Sequence, residues 1–228
     1  MVYTFARVGA VIIRDYKAGP PQWNVPVVTA NTSSVFTLDY GEGHEWLLPV
    51  IGDDFDALRF DGTPRRASWR PIAMRRLKFA TSGSRLVPAD FVSCSGGQLL
   101  TFGERAFLAL ASYLDRYGEV LPLACEESHF WTFNVTNLIP ALDVDRSRVF
   151  RANDDGSILM IQSHEFHEAA LGSDIWKLSA MPRGLIYVSA GFKKRVADAK
   201  LSGLEFEQVW PTRHAEKRIL GRTPGPAG

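Results

Sequence analysis

The sequence predicts an α+β fold, with mixed or antiparallel sheets and a few short amphipathic helices. Three observations predict this class. Short apolar runs that suit strands are spread along the chain between turn residues such as Gly and Pro. Two segments instead repeat apolar residues at helical spacing. Strands and helices do not alternate as in an α/β protein, and no glycine-rich nucleotide loop is found.

The composition is that of an ordinary folded protein without a dominant charge. Of its 228 residues, 46% are hydrophobic and 22% are charged. A chain of this length buries roughly 70–75% of its unfolded surface, so its core does not need disulfides or a structural metal for stability. The 26 Lys and Arg residues balance 25 Asp and Glu residues. With this balance, the protein has no overall positive field that would attract nucleic acid or an anionic membrane. The balance also argues against an acidic protein that mimics nucleic acid.

The cysteines and the N-terminus favour a cytoplasmic protein. Cys94 and Cys125 are too few and too far apart for a disulfide framework or a cysteine zinc site, so we expect reduced thiols. The apolar run at residues 8–13 is too short for a secretion signal. No stretch approaches the ~20 apolar residues of a membrane span. We therefore expect no membrane contact.

Residues 1–80 are predicted to form an N-terminal β-rich lobe. Short strands and turns fill residues 1–63, although three prolines within 18–26 exclude a regular central strand there. The alternation in "SVFTLDY" predicts a strand, and "GEGHEWLLPVIGDD" predicts a turn, a strand and a turn. The acidic stretch 53–62 suits a short helix or a strand.

Residues 81–212 are predicted to form an α+β core, and its clearest element is a helix after residue 101. Thr101 and Glu104 form a capping-box pattern. Gly118 suits a left-handed position at the helix end. The predicted apolar stripe consists of Phe107, Leu110, Ala111 and Leu114.

The elements that follow are two strands within 120–135, a short helix over 136–143 and a hairpin over 147–162. Asp155-Gly156 is a strong hairpin signal. Strands at "IWKL" and "GLIYVS" come next.

Ser189 is predicted to cap a second helix, which Gly203 ends before a half-buried strand at "LEFE". The apolar face of this helix is Phe192, Val196 and Ala199. Both helical regions follow one plan of strand, helix, glycine and strand, which a duplication or a common unit would equally explain. The tail 213–228 is predicted to be disordered, and the two preceding regions can also form one continuous domain.

The stretch "SHEFHEAALG" (163–172) is the strongest candidate for chemistry. Its histidines, His164 and His167, are three residues apart, whereas a zincin requires a spacing of four with a glutamate base. A catalytic zinc also needs a third protein ligand, and none is apparent. A metal-dependent hydrolase centred on His164, His167 and Glu168 is therefore an alternative. The favoured interpretation is a polar connector without a metal or other cofactor.

Residues 64–79 form a basic run that suggests a second alternative, a nucleic-acid-binding module. Trp69 and Phe79 lie among the cations, as they would in a groove that stacks bases. The favoured interpretation is a solvated face balanced by the preceding acids, so nucleic acid is not an expected partner. The basic residues are Arg65, Arg66, Arg70, Arg75, Arg76 and Lys78.

A third candidate is a thiol nucleophile at Cys94, beside the flexible "SGG", activated by His129. Nothing in the sequence brings this pair together.

The order of segments over residues 55–210 resembles the immunity protein 11 family of bacterial polymorphic-toxin systems, earlier described as a domain of unknown function. "LRFDG", "PADFVSCS", "GEVLPL", "GLIYVS" and "LSGLEFEQVW" occur in that order. Phe133 stands where the family pattern has valine. The residues that carry the resemblance are Phe133, Asn134, Val135, Leu142, Asp143, Ser147, Gly203, Leu204, Phe206 and Val209.

The resemblance implies a non-enzymatic protein that neutralises a cognate protein toxin by binding it. Binding requires a rigid scaffold with exposed aromatic and charged side chains, because Trp, Tyr and Arg dominate binding hot spots. A homodimer is compatible with the sequence. The candidate partner-binding residues are Trp46, Arg66, Trp69, His164, Glu165, His167 and Glu168.

Overall fold

The computed structural model describes residues 34–96, 98–167 and 171–211. The described residues form two five-stranded sheets, a two-stranded hairpin and three short helices, so the α+β prediction holds with a strong bias towards β. The strands predicted before residue 34, Glu168 and the tail 213–228 lie outside these residues.

The elements in chain order are β1 (Val35–Tyr40), β2 (Trp46–Pro49), α1 (Asp54–Ala57), β3 (Ala73–Leu77), β4 (Leu100–Gly103), α2 (Glu104–Leu114), β5 (Gly118–Cys125), β6 (Phe130–Val135), β7 (Leu138–Ile139), β8 (Arg148–Arg151), β9 (Ile158–Ser163), β10 (Ile175–Leu178), β11 (Tyr187–Ser189), α3 (Ala190–Asp198) and β12 (Leu204–Trp210).

The first sheet has the order β12-β1-β11-β10-β7. Its strands are antiparallel except for β7, which runs parallel to β10. Strand β1 lies in the interior of this sheet, between β11 and β12, and residues 35–38 are buried on both faces. Such burial suits the apolar residues Val35, Phe36 and Leu38 of the strand that the alternation predicted.

The second sheet has the order β2-β3-β5-β6-β4, and residues 91–93 connect its two edges. The Val92 amide donates to the Thr101 carbonyl of β4 at 3.0 Å, and the Leu47 amide of β2 donates to the Ser93 carbonyl at 2.9 Å. Both edges of the sheet are thereby bridged to the same segment, which closes it into a small barrel.

Alternation along β6 separates the barrel interior from its outer face. Phe130 belongs to the interior cluster with Leu47, whereas Phe133 and Val135 belong to a cluster shared with α2, α3 and the first sheet. Successive side chains of a strand point to opposite faces, so one fully buried strand serves two cores.

The two strand–helix–strand segments have the same topology. Strands β4 and β5 flank β6, and strands β11 and β12 flank β1, with antiparallel pairing in every case. The intervening helices α2 and α3 pack together, where the Tyr113 and Phe192 rings stack at 6.3 Å between centroids. The repeated plan seen in the sequence is therefore a repeated split β-α-β arrangement.

The predicted capping box at Thr101 is wrong. Thr101 lies within β4, α2 begins at Glu104, and Gly103 occupies the N-cap position without a side-chain hydrogen bond. The predicted stripe is also shifted, because the buried residues of α2 are Ala106, Leu110, Tyr113 and Leu114.

Gly118 is the first residue of β5 and not the end of the helix. In α3 the predicted cap is confirmed, since the Ser189 hydroxyl accepts from the amides of Gly191 and Phe192. This helix ends at Asp198, and the left-handed residue that follows is Lys200, with Gly203 left-handed immediately before β12.

The helix predicted over 136–143 is wrong, because this segment forms β7 and pairs with β10. The Lys177 amide donates to the Asn137 carbonyl at 3.0 Å, and the Ser179 amide donates to the Ile139 carbonyl at 3.1 Å. Pro140 has no amide hydrogen to continue a helix. The hairpin of β8 and β9 is confirmed, with Gly156 at a φ of 69° in its turn.

Strands from residues 34–80 pair with later strands in both sheets. Strand β1 pairs with β11 and β12, and β3 pairs with β5. The division into two lobes stays a prediction, and this pairing favours the continuous-domain alternative. Among the described residues, no helix has the length and apolar character needed to cross a membrane.

Candidate functional site

The histidine segment that follows β9 is extended, and its side chains alternate between two environments. His164 and Phe166 are buried, whereas Glu165 is partly exposed and His167 is exposed. Phe166 forms an isolated bridge with Leu142, which explains the extended conformation. Residues three apart on an extended chain point to opposite faces, so the two histidines do not form a chelating pair.

His164 serves the core. It is 8% exposed, and its Nε2 atom forms a hydrogen bond of 3.0 Å with the Tyr187 hydroxyl. Its ring stacks on Phe166 with centroids 5.7 Å apart. Burial lowers the pKa of His164 to about 4, so the imidazole is neutral at physiological pH.

Glu165 and His167 lie on the outer side of the segment, near Asp143 and Arg146. The Glu165 carboxylate lies 3.4 Å from the Trp210 indole nitrogen and 3.8 Å from an Arg146 nitrogen. His167 Nδ1 is 3.8 Å from an Asp143 oxygen. Within residues 34–96, 98–167 and 171–211, no three His, Cys, Asp or Glu side chains form a metal-binding group. The geometry therefore gives the metal-hydrolase alternative no support.

We expect buried His164 to make stability depend on pH. The unfolded chain takes up a proton near pH 6.5, whereas folded His164 stays neutral to about pH 4, so stability falls as the pH drops through this window. A drop from pH 7 to pH 5 should therefore lower the free energy of unfolding by roughly 2 kcal/mol through His164. In urea unfolding, the free energy of unfolding of His164→Gln should change less between these two pH values than that of wild type.

The matched control is His167→Gln, at the exposed position of the same segment, which should retain the wild-type pH dependence. Equal pH dependence in wild type and His164→Gln would contradict the assignment.

The basic run at 64–79 is divided among separate ion pairs. Arg66 pairs with Asp115 at 2.8 Å, Arg65 with Asp61 at 3.9 Å, Lys78 with Glu127, and Arg76 with buried Glu45. Two of these carboxylates, Glu45 and Asp61, belong to the acidic stretch expected to balance the run. Four of the six cations are thus neutralised in place, and the nucleic-acid alternative has no support in this geometry.

Trp69 also has a structural role. Its indole nitrogen donates to the Pro122 carbonyl at 2.8 Å, and its ring lies 5.9 Å from that of Phe60.

The geometry gives no support to Cys94 and His129 as a nucleophile and its base. Cys94 is buried in the barrel interior, where burial raises the pKa of its thiol to about 12. His129 is exposed on the loop that precedes β6. The centroid of its ring is 6.2 Å from that of Trp131, on the outer side of the barrel. A neutral, enclosed thiol is a poor nucleophile.

Among the described residues, an apolar patch on the outer face of the barrel is a candidate binding surface. We call it the outer patch. Its members are exposed apolar side chains that are adjacent through strand pairing. They are Trp46, Leu77, Phe79 and Val87.

Strand register brings these residues together. Trp46 of β2 is directly opposite Leu77 of β3, and Phe79 follows two residues later on the same face. Val87 lies beside the start of β2, where its amide donates to the Gly43 carbonyl at 2.8 Å. Trp46 is 47% exposed and Phe79 is 56% exposed. The backbone beneath them is fixed by the barrel, because Leu47 and Met74 point into its interior.

Arg75 adds a cation to the same face. It is exposed, it precedes Leu77 by two residues on β3, and no carboxylate of the described residues forms an ion pair with it. The sequence prediction included Trp46 but missed Leu77, Phe79 and Val87. The alternation from Ala73 to Phe79 was the available signal, but it was read as part of a basic run.

A rigid sheet that presents Trp and Arg beside apolar side chains is typical of a protein-binding surface. Residues 125–210 match the model of an immunity protein family (Imm11), which confirms the resemblance inferred from the sequence. The match begins at Cys125, whereas the sequence resemblance was placed over 55–210. It spans β6 to β12, including both strands that flank β1. No curated protein matches the chain.

Proposed function

We propose that this protein is a cytoplasmic immunity protein that neutralises a cognate bacterial toxin by binding it, without catalysis. The observation that carries the proposal is the match of residues 125–210 to the immunity protein family. Immunity proteins of this family are generally non-enzymatic, which agrees with the neutral His164 and the enclosed Cys94.

The outer patch is the proposed toxin-binding surface. Binding energy concentrates in a few aromatic and arginine side chains that lose water in the complex. Trp46 and Arg75 supply these residue types on one face, beside exposed Leu77 and Phe79. A partner that buries this face should offer apolar side chains opposite Trp46 and a carboxylate opposite Arg75.

Four other candidates fit a binding role less well. His164 is buried, and Trp69 is committed to the Pro122 carbonyl. Arg66 and His167 are exposed but already lie near carboxylates, Asp115 and Asp143 respectively. Trp46 is the candidate with both exposure and apolar neighbours, so the test centres on it.

We expect Trp46→Ala to weaken toxin binding by about 30-fold or more, the loss typical of a hot-spot residue. Folding should be preserved because Trp46 lies on the outer face of the barrel, with nearly half of its surface in solvent. The measurement is titration calorimetry with the product of an adjacent toxin gene, together with rescue of cells that express this toxin.

The matched control is Leu108→Ala, which removes an exposed apolar side chain from α2. It should leave toxin affinity unchanged. If wild-type protein binds the toxin and Trp46→Ala binds equally well, the outer patch is not the binding surface. If wild-type protein neither binds nor protects, the immunity role itself is wrong.

A further inference from the structure

Lys177 of β10 is a buried lysine whose ammonium group makes one hydrogen bond to the described residues. It is 2% exposed, and its Nζ atom donates to the Phe60 carbonyl at 3.2 Å. An ammonium group has three donors, so this bond leaves two of them for another acceptor. Burial of a charge is costly unless the charge is paired and hydrogen-bonded. One carbonyl does not meet that requirement.

Lys177 lines a cavity of about 140 Å³ that opens beside α1. Arg59 and Arg183 lie at the same cavity, and the neutral side chains of Ser95 and Gln98 complete its polar lining. No carboxylate of the described part of the chain is among the lining residues. Three cations therefore converge on a small space without an acidic partner inside it.

Two carboxylates that pair with the cavity arginines, Asp61 and Asp56, do not line the cavity. Asp61 lies 3.7 Å from an Arg183 nitrogen and 3.9 Å from an Arg65 nitrogen, and it accepts from the Thr63 amide. Asp56 pairs with Arg59 at 3.4 Å, where both side chains are exposed. These pairs hold the arginines near the cavity without neutralising Lys177 directly.

We propose that this cavity binds the oxyanion group of a small free ligand, a phosphate or a carboxylate, with Lys177 as its central donor. Arg183 and Arg59 would contact the same anion from the open side. The cavity is smaller than the roughly 300–1,000 Å³ of sites for drug-sized molecules, so it suits an anion of a few atoms. This inference is independent of the proposed toxin binding.

Thermal unfolding at pH 7 and constant ionic strength tests the proposal with inorganic phosphate and malonate as probes, and with chloride as the reference. We expect phosphate or malonate to raise the wild-type Tm in a saturable manner, because a ligand of the folded state stabilises it. Lys177→Met should weaken the fitted affinity by about 10-fold or more, since it removes a charge-assisted hydrogen bond.

Lys177→Met is expected to fold, because replacing an incompletely paired buried charge with an apolar side chain of similar volume is neutral or stabilising. Lys194→Met is the matched control, since Lys194 is exposed and pairs with Asp198 on α3. It should retain the wild-type response. Arg183→Gln should show an intermediate affinity.

The malonate titration repeated at pH 9 provides a second readout. Burial lowers the pKa of Lys177 to about 8, opposed by nearby Asp61, so most Lys177 is neutral at pH 9. The other charged groups at this cavity or beside it are Arg59, Arg183 and Asp61. The anion response should therefore weaken from pH 7 to pH 9. An absent wild-type response to both probes, or an equal response in Lys177→Met, would overturn the proposal.

Discussion

Arg76→Ala should lower the free energy of unfolding by about 3–5 kcal/mol, the usual loss when one member of a buried ion pair is removed. Its guanidinium pairs with Glu45, which is 3% exposed, and it also donates to the Ser128 hydroxyl at 3.1 Å. Without Arg76, the Glu45 carboxylate stays buried and has no cation beside it. Urea unfolding monitored by tryptophan fluorescence measures the change.

Two further variants identify the cause. Lys78 lies two residues after Arg76 and forms an exposed ion pair with Glu127. Lys78→Ala should lower the free energy of unfolding by less than about 1 kcal/mol. The double variant Glu45→Leu with Arg76→Met should recover most of the stability, because it removes both buried charges together. A loss below about 1 kcal/mol in Arg76→Ala would show that Glu45 finds another partner or water.

Gly118→Ala should destabilise the protein by about 3 kcal/mol or more, at the upper end of the range for overpacking. A Cβ atom at this position would lie 2.1 Å from the Asn134 carbonyl oxygen and 3.0 Å from the Phe133 ring. The nearest obstacle is backbone, which a side-chain rotation cannot relieve. Strands β5 and β6 would have to separate at the first pair of their ladder.

Gly52→Ala is the matched control, since no atom lies within 4 Å of its added Cβ, and it should change stability little. Gly118→Asn separates the steric explanation from a helix-ending role. Asn tolerates a left-handed helix end but not a close backbone contact. Unfolding free energies should therefore rank Gly118→Asn no better than Gly118→Ala, and a stable Gly118→Asn would contradict this explanation.

Elements with local signals could be predicted from the sequence. The Asp155-Gly156 turn and the Ser189 cap each depend on a few neighbouring residues, and the structure has both. The errors arose where distant partners decide the conformation. Residues 138–139 form a strand because β10 pairs with them, and Thr101 joins β4 because β6 and residue 92 supply its backbone partners.

The candidate site shows the same division. Exposed Trp46 was within reach of sequence reasoning, but the outer patch depends on the register that places Leu77 opposite it. Lys177 could not be recognised, because a lysine in "IWKL" is read as the exposed position of an alternating strand. All four residues of this strand are buried. The burial of Lys177 depends on the surrounding sheet and on the α1 region, which are distant in the sequence.

The position of β1 between β11 and β12 has a consequence for synthesis. Val35 pairs with Ser189 on one side and with Trp210 on the other. Strand β1 is therefore synthesised long before either of the strands that pair with it. At ribosomal rates of about 5–20 residues per second, this delay is on the order of 10 s or more. Throughout it, Phe36 and Leu38 belong to an unfinished core. A chain that stops before β12 would expose these side chains to proteases, so a premature stop codon should yield a degraded product instead of a shorter working protein.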